Sequence, residues 1–151
     1  TVTAAAVIAR RKVNTLILVH RTELLKQWQE RLAVFLQVGD SIGIIGGGKH
    51  KPCGNIDIAV VQSISRHGEV EPLVRNYEQI IVDECHHIGA VSFSAILKET
   101  NARYLLGLTA TSIRRDGLHP IIFMYCGAIR HTAARPKESL HNLEVLTRCS
   151  A

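Results

Sequence analysis

Hydrophobic and polar positions along the chain follow two periods in turn. Residues 15–19 (TLILV) form an unbroken apolar run, as expected of a strand buried on both faces. Residues 22–36 follow, with Leu24, Leu25, Trp28, Leu32 and Phe35 spaced to line one face of a helix. Thr22 stands where an N-cap belongs. Apolar runs at 41–45, 56–61, 79–82 and 103–108 predict four more strands, and 91–98 predicts a helix. Residues 1–12, rich in alanine, predict a helix with no strand ahead of it. Strands and helices in alternation imply an α/β fold, a mainly parallel sheet with helices on both faces. Such sheets place ligands at the carboxyl ends of their strands.

The two ends carry expectations of their own. A doubly wound domain opens with strand, loop and helix, so the first strand and loop are expected to lie outside this chain, leaving the domain incomplete at the N-terminus. Residues 132–151 contain Pro136 and mixed charge, with little periodicity until 143–146. They read as a linker towards a second domain or as an extension packing on the sheet.

Composition narrows the class. A chain of 151 residues with 46% hydrophobic and 21% charged residues is an ordinary globular domain, not a disordered tail or a disulfide scaffold. No apolar stretch reaches ten residues, so none spans a bilayer. The opening TVTAAAVIA lacks a basic segment before it, and Arg10-Arg11-Lys12 follows where a cleavage site would stand. The expected compartment is cytoplasmic. Cys53, Cys85, Cys126 and Cys149 form no C-x-x-C pair and read as reduced thiols. A net charge of +5 permits a polyanionic partner without demanding one.

The candidate chemistry centres on Ile80-Ile81-Val82-Asp83-Glu84-Cys85-His86-His87. A buried strand ends there in two adjacent carboxylates. Magnesium in nucleotide sites takes one or two carboxylates plus waters and phosphate oxygens, and a neighbouring acid can orient an attacking water. By itself the pair is more often just a solvated acidic turn. Cys85, His86 and His87 raise zinc, but consecutive residues of an extended chain point to opposite faces, and no second Cys/His pair stands at a structural spacing. The segment 43–49 (GIIGGGK) fits G-x-x-x-x-G-K in form. His50 then replaces the required Ser or Thr, and Pro52 and Gly54 break the required helix, so the glycines are expected to make a loop between two strands.

Taken in order, these segments resemble superfamily 2 helicases and translocases. Asp83-Glu84-Cys85-His86 is similar to their D-E-x-H Walker B motif. Gly107-Leu108-Thr109-Ala110-Thr111 resembles motif III, LILVHRTELLKQW at 16–28 motif Ia and its helix, and IAVVQSI at 58–64 the motif Ib region. Within the superfamily the likeness is to the type III restriction-enzyme-like (ResIII) group, over residues 1–131. It implies a RecA-like P-loop NTPase domain at 1–131, with 132–151 leading to a second RecA-like domain. Asp83 would hold magnesium through water, Glu84 would activate the hydrolytic water, and His86 would link the nucleotide site to motif III. Thr109, Thr111 and Arg114 would couple hydrolysis to strand movement. His20, Arg21, Thr22, Gln62 and Ser63 would touch the nucleic-acid backbone, DNA favoured over RNA. Thr1 would be the Walker A threonine facing ATP, its glycines and lysine lying ahead of the chain. Ser112 and Ala128 depart from the group, which tends to have proline there. Two other readings are a basic nucleic-acid-binding module without ATPase activity and a flavodoxin-like ligand-binding domain. Trp28, on the apolar helix face, reads as a core anchor rather than a base-stacking platform.

Overall fold

A computed structural model describes residues 1–38, 41–87, 90–110 and 124–133. Helix α1 (Val2–Arg11) leads into β1 (Thr15–Val19), α2 (Glu23–Leu36), β2 (Ile42–Gly46), β3 (Lys49–Lys51) and β4 (Ile56–Val60). A one-turn helix α3 (Val61–Ile64) and a two-residue-strand hairpin, β5 (Ser65–Arg66) with β6 (Glu69–Val70), come next. Then follow β7 (Gln79–Val82), α4 (Ala90–Glu99) and β8 (Tyr104–Gly107). The main sheet has the order β3-β2-β4-β1-β7-β8 and is parallel throughout, except that β3 runs antiparallel to β2.

The unbroken apolar runs become the interior strands because both faces are covered. Side chains alternate across a strand. On one face Leu16, Leu18, Ile80, Val82 and Ala59 pack with Ile64, Val74, Phe93 and Ile96. On the other, Ile17, Val19, Ile58 and Ile81 pack with Ala4, Ile8, Leu25, Trp28 and Leu32 of α1 and α2. Every residue of β1 is fully buried.

Helix α1 is tied at its C-terminal end to the start of β7, where Arg11 Nη1 donates to Gln79 Oε1 at 2.8 Å. Ten residues of helix span roughly 15 Å, about the length of a five-residue strand. Thr1 is the N-cap of α1, at its other end.

The structure gives three local readings their detail. The 56–61 strand ends at Val60, so Gln62 and Ser63 lie on α3 rather than at a strand tip. Thr22 occupies the N-cap position of α2 but makes no side-chain capping hydrogen bond, its own backbone being helical. The loop expected over the glycines is a two-residue hairpin turn: Gly47 and Gly48 have φ of 60° and 79°, and Gly46 pairs with Lys49. A strand therefore follows Lys49 where a phosphate loop would need a helix.

Candidate functional site

The site is assembled where β1, β7 and β8 end. Asp83 N donates to Leu18 O at 2.9 Å, Leu108 N to Val82 O at 2.8 Å and Cys85 N to Leu108 O at 3.0 Å. These bonds carry the ladder past the strand tips and hold Asp83-Glu84 at a fixed place. The chain then turns sharply. Glu84 adopts a left-handed φ of 46°, and His87 N closes a single 3₁₀ turn onto Glu84 O at 2.8 Å. A non-glycine residue pays about 1 kcal/mol for that conformation, which survives only when its surroundings enforce it.

This turn gives each of five consecutive side chains its own set of neighbours. Asp83 meets helix α2: the indole Nε1 of Trp28 donates to Asp83 Oδ2 at 2.7 Å. Glu84 Oε2 lies 3.3 Å from His86 Nδ1 and accepts from Ala110 N at 3.4 Å. Cys85 is buried in the core. His86 Nδ1 lies 2.6 Å from Thr109 Oγ1, so the Walker B-like and motif III-like segments meet directly. His87 stacks on His20, ring centroids 4.7 Å apart, and on His86 at 4.0 Å. Cys85 points into the core while the His86 and His87 rings lie against each other outside it, and no group of three metal-ligating side chains exists among the described residues.

The donor set still suits magnesium held through water. That ion needs only one or two protein carboxylates beside phosphate and water oxygens. Asp83 has one oxygen bound by Trp28, and Oδ1 has no hydrogen-bond partner among the described residues. Thr1 Oγ1 accepts from Arg31 Nη1 at 3.2 Å, and Arg31 lies three residues beyond Trp28 on α2. One face of α2 therefore touches both Thr1 and Asp83. Thr111 and Arg114 lie outside the described residues.

The five residues expected to face nucleic acid come together. His20, Arg21, Thr22, Gln62 and Ser63 line one surface pocket of about 550 Å³, with Arg66 beside them. Arg66 was not anticipated; it becomes recognisable only once the β5–β6 hairpin folds back. The glycine hairpin abuts the same place, since a Cβ on Gly47 would come within 2.6 Å of Thr22 Cγ2. His20 has its pKa lowered, first by burial and then by the neighbouring His87 and Arg21. Its Nδ1 is buried without a hydrogen-bond partner among the described residues. The stack His20–His87–His86 joins this pocket to Glu84 and Thr109.

Behind the site, Cys85 and Cys126 close over Gly107, where a Cβ would meet their sulfurs at 3.2 and 2.9 Å. Both are free thiols, as is Cys53, and Cys149 lies outside the described residues. A hydrogen bond from Cys126 lowers the Cys85 pKa, while the same bond and burial raise that of Cys126. A larger groove of about 940 Å³ lies between β6 and α4, away from these acids.

The parallel order and covered faces define a RecA-like α/β domain, and two solved structures share them. The UvsW helicase from bacteriophage T4 superposes with a TM-score of 0.63 at 19% identity, over 81% of this chain and 45% of that one. The SWI2/SNF2 ATPase core of Sulfolobus solfataricus, solved in complex with dsDNA, gives 0.52 at 21%, over 81% and 26%. The chain belongs to the family described as type III restriction enzyme, res subunit, which matches residues 1–114. It is 35% identical over 126 residues to the DNA 3'-5' translocase XPB2 of Sulfurisphaera tokodaii, covering 83% of this chain and 28% of the relative. The DNA 3'-5' helicase XPB of Kineococcus radiotolerans is 33% identical over 140 residues, 88% of this chain and 25% of the relative. Protein L396 of Acanthamoeba polyphaga mimivirus, provisionally named an ATP-dependent RNA helicase, is 32% identical over 120 residues, 80% and 23%. The chain thus spans about a quarter of the length of these relatives. No helix among the described residues is long and apolar enough to cross a membrane.

Proposed function

We propose that this chain is the first RecA-like domain of an ATP-dependent helicase or translocase that tracks along DNA. The observation that carries the reading is the contact of Glu84 and His86 with Thr109 and Ala110 at the strand ends, joined by stacked imidazoles to the pocket of His20, Arg21, Thr22, Gln62 and Ser63. In this reading residues 1–131 are the domain, the phosphate loop precedes Thr1, and 132–151 lead to a second RecA-like domain. Thr1 and Asp83 face a magnesium–ATP complex, and magnesium supplies charge neutralisation on the phosphates. Glu84 accepts the proton of the attacking water. His86 holds Glu84 and Thr109 in one hydrogen-bonded unit, so a change at the nucleotide is felt at Thr109, Thr111 and Arg114. Arg21 and the pocket's hydroxyl and amide groups bind backbone phosphates, a sequence-independent contact. DNA is favoured over RNA because two of the three relatives above are named for DNA and one structural neighbour was solved with dsDNA.

The test is DNA-stimulated ATP hydrolysis by the whole protein. Glu84→Gln should lower turnover about 10²- to 10⁴-fold, the span of one general base, while ATP binding stays intact. Unchanged turnover would remove Glu84 from the chemistry. Salt-dependent DNA binding with no ATP dependence at all would favour the non-catalytic module.

A further inference from the structure

We propose that Trp28 is a positioning residue for the metal-facing carboxylate: its indole N–H fixes one oxygen of Asp83, leaving the other to be presented to a divalent cation. The inference rests on the reading of Asp83 above and goes beyond it to a residue on a different element.

Trp28 is the chain's only tryptophan and is 2% exposed. Its ring is locked among Leu25, Leu32, Ile8 and the sheet face. An indole offers a donor and no acceptor, and a buried one needs a partner. That partner is Asp83 Oδ2 at 2.7 Å, a short contact to a carboxylate 55 residues away. Packing alone calls for apolar ring volume and no donor. The N–H does something a phenyl ring cannot: it restricts the rotation of a carboxylate whose backbone N is already bound to Leu18 O. A ligand oriented in advance loses less freedom when the cation arrives, and partners of this kind are worth about 10- to 100-fold in metal affinity.

The same helix gives the contact a second consequence. α2 begins immediately after His20, Arg21 and Thr22, carries Trp28 in its second turn, and holds Thr1 through Arg31 one turn later. A shift of α2 on loading the pocket would reach Asp83 and Thr1 together, by a path separate from the histidine stack.

The test uses the whole protein with Mn²⁺ as the probe, titrated in the presence of ATP and followed by the loss of the free Mn²⁺ resonance. Trp28→Phe keeps an aromatic six-membered ring and removes the donor together with the second ring of the indole. The expected result is a half-saturation raised about 10-fold, with ATP affinity at saturating Mn²⁺ within twofold of the parent, beside a lower melting temperature from the cavity that the lost ring leaves. Asp83→Asn must shift the same curve. A Trp28→Phe curve that overlies the parent while Asp83→Asn shifts would reduce Trp28 to a packing residue and leave the site reading standing. If neither shifts, Asp83 is not on the metal side and both readings fall. If Trp28→Phe shifts and Asp83→Asn does not, the effect does not run through this carboxylate and the proposal fails. Should Trp28→Phe not fold, benzothienylalanine at position 28 replaces only the N–H by sulfur and is judged by the same curves.

Discussion

Asp57 is a fully buried carboxylate on β4 and has no part in the proposed chemistry. Its oxygens accept from Cys53 N and Gly54 N at 2.7 Å each and from the Tyr77 hydroxyl at 2.5 Å. It thereby pins the segment after β3 to the sheet. Gly43 must be glycine, because a Cβ there would stand 1.7 Å from Asp57 Oδ1. Asp57→Ala leaves buried donors unpaired and should cost about 3 kcal/mol or more in a urea melt. The Tyr77 pKa is raised, first by burial and then by its bond to Asp57. A raised folded-state value means the neutral phenol stabilises the fold below the unfolded value of about 10 and loses that contribution as pH climbs past it. Stability should therefore fall above about pH 10 by up to 1.4 kcal/mol per pH unit for this group, and Tyr77→Phe should flatten that fall. A parallel decline in the parent and Tyr77→Phe would disprove the assignment. Neither the Asp57–Tyr77 bond nor the Trp28–Asp83 bond could be read in the sequence, because they join residues 20 and 55 positions apart whose contact exists only once strands pair. Asp83, Glu84 and His86 were legible because their spacing is local to one strand end.

The glycine hairpin offers a prediction that separates two costs. Gly47 and Gly48 both need positive φ, as a tight turn with right-handed strand twist demands. At Gly48 a Cβ would meet nothing within 4 Å, so Gly48→Ala should cost only the backbone strain, about 1 kcal/mol. At Gly47 the same methyl would stand 2.6 Å from Thr22 Cγ2. Gly47→Ala should cost clearly more in chemical denaturation and should also disturb DNA binding at the pocket Thr22 lines. Equal losses for the two would mean the hairpin does not press on α2. The sequence announced the long elements, since five-residue apolar runs and a fourteen-residue amphipathic helix each bury enough to declare themselves. The β5–β6 pair was not legible. Its strands are two residues each, too short to show a period, and Arg66 enters the pocket only through that pairing.

At the scale of the whole molecule, the sheet gathers four distant segments at one end: residues 20–22, residues 62–63, residues 83–87 and residues 108–110. Communication between the two halves of the proposed site should run through His20 and His87. Alanine at either should lower DNA stimulation of ATP turnover, and the double variant should lose no more than the worse single one, the mark of residues acting as a unit. Additive losses would show two independent routes. Charge balance supplies the final argument. Among the described residues, no lysine or arginine is hydrogen-bonded or ion-paired to Asp83 or Glu84; the contacts are Trp28, Ala110 and His86. Phosphoryl transfer depends on cations held against the phosphates, and removing one such group typically costs three to five orders of magnitude, roughly 10³- to 10⁵-fold. In the proposed reading those cations come from a loop ahead of Thr1 and from a partner domain. The 151-residue chain by itself should therefore turn over no measurable ATP, with or without DNA. Turnover that scales with the concentration of the purified chain and vanishes in Glu84→Gln would mean the chain carries its own phosphate-binding cations, and the two-domain account of the site would have to be given up.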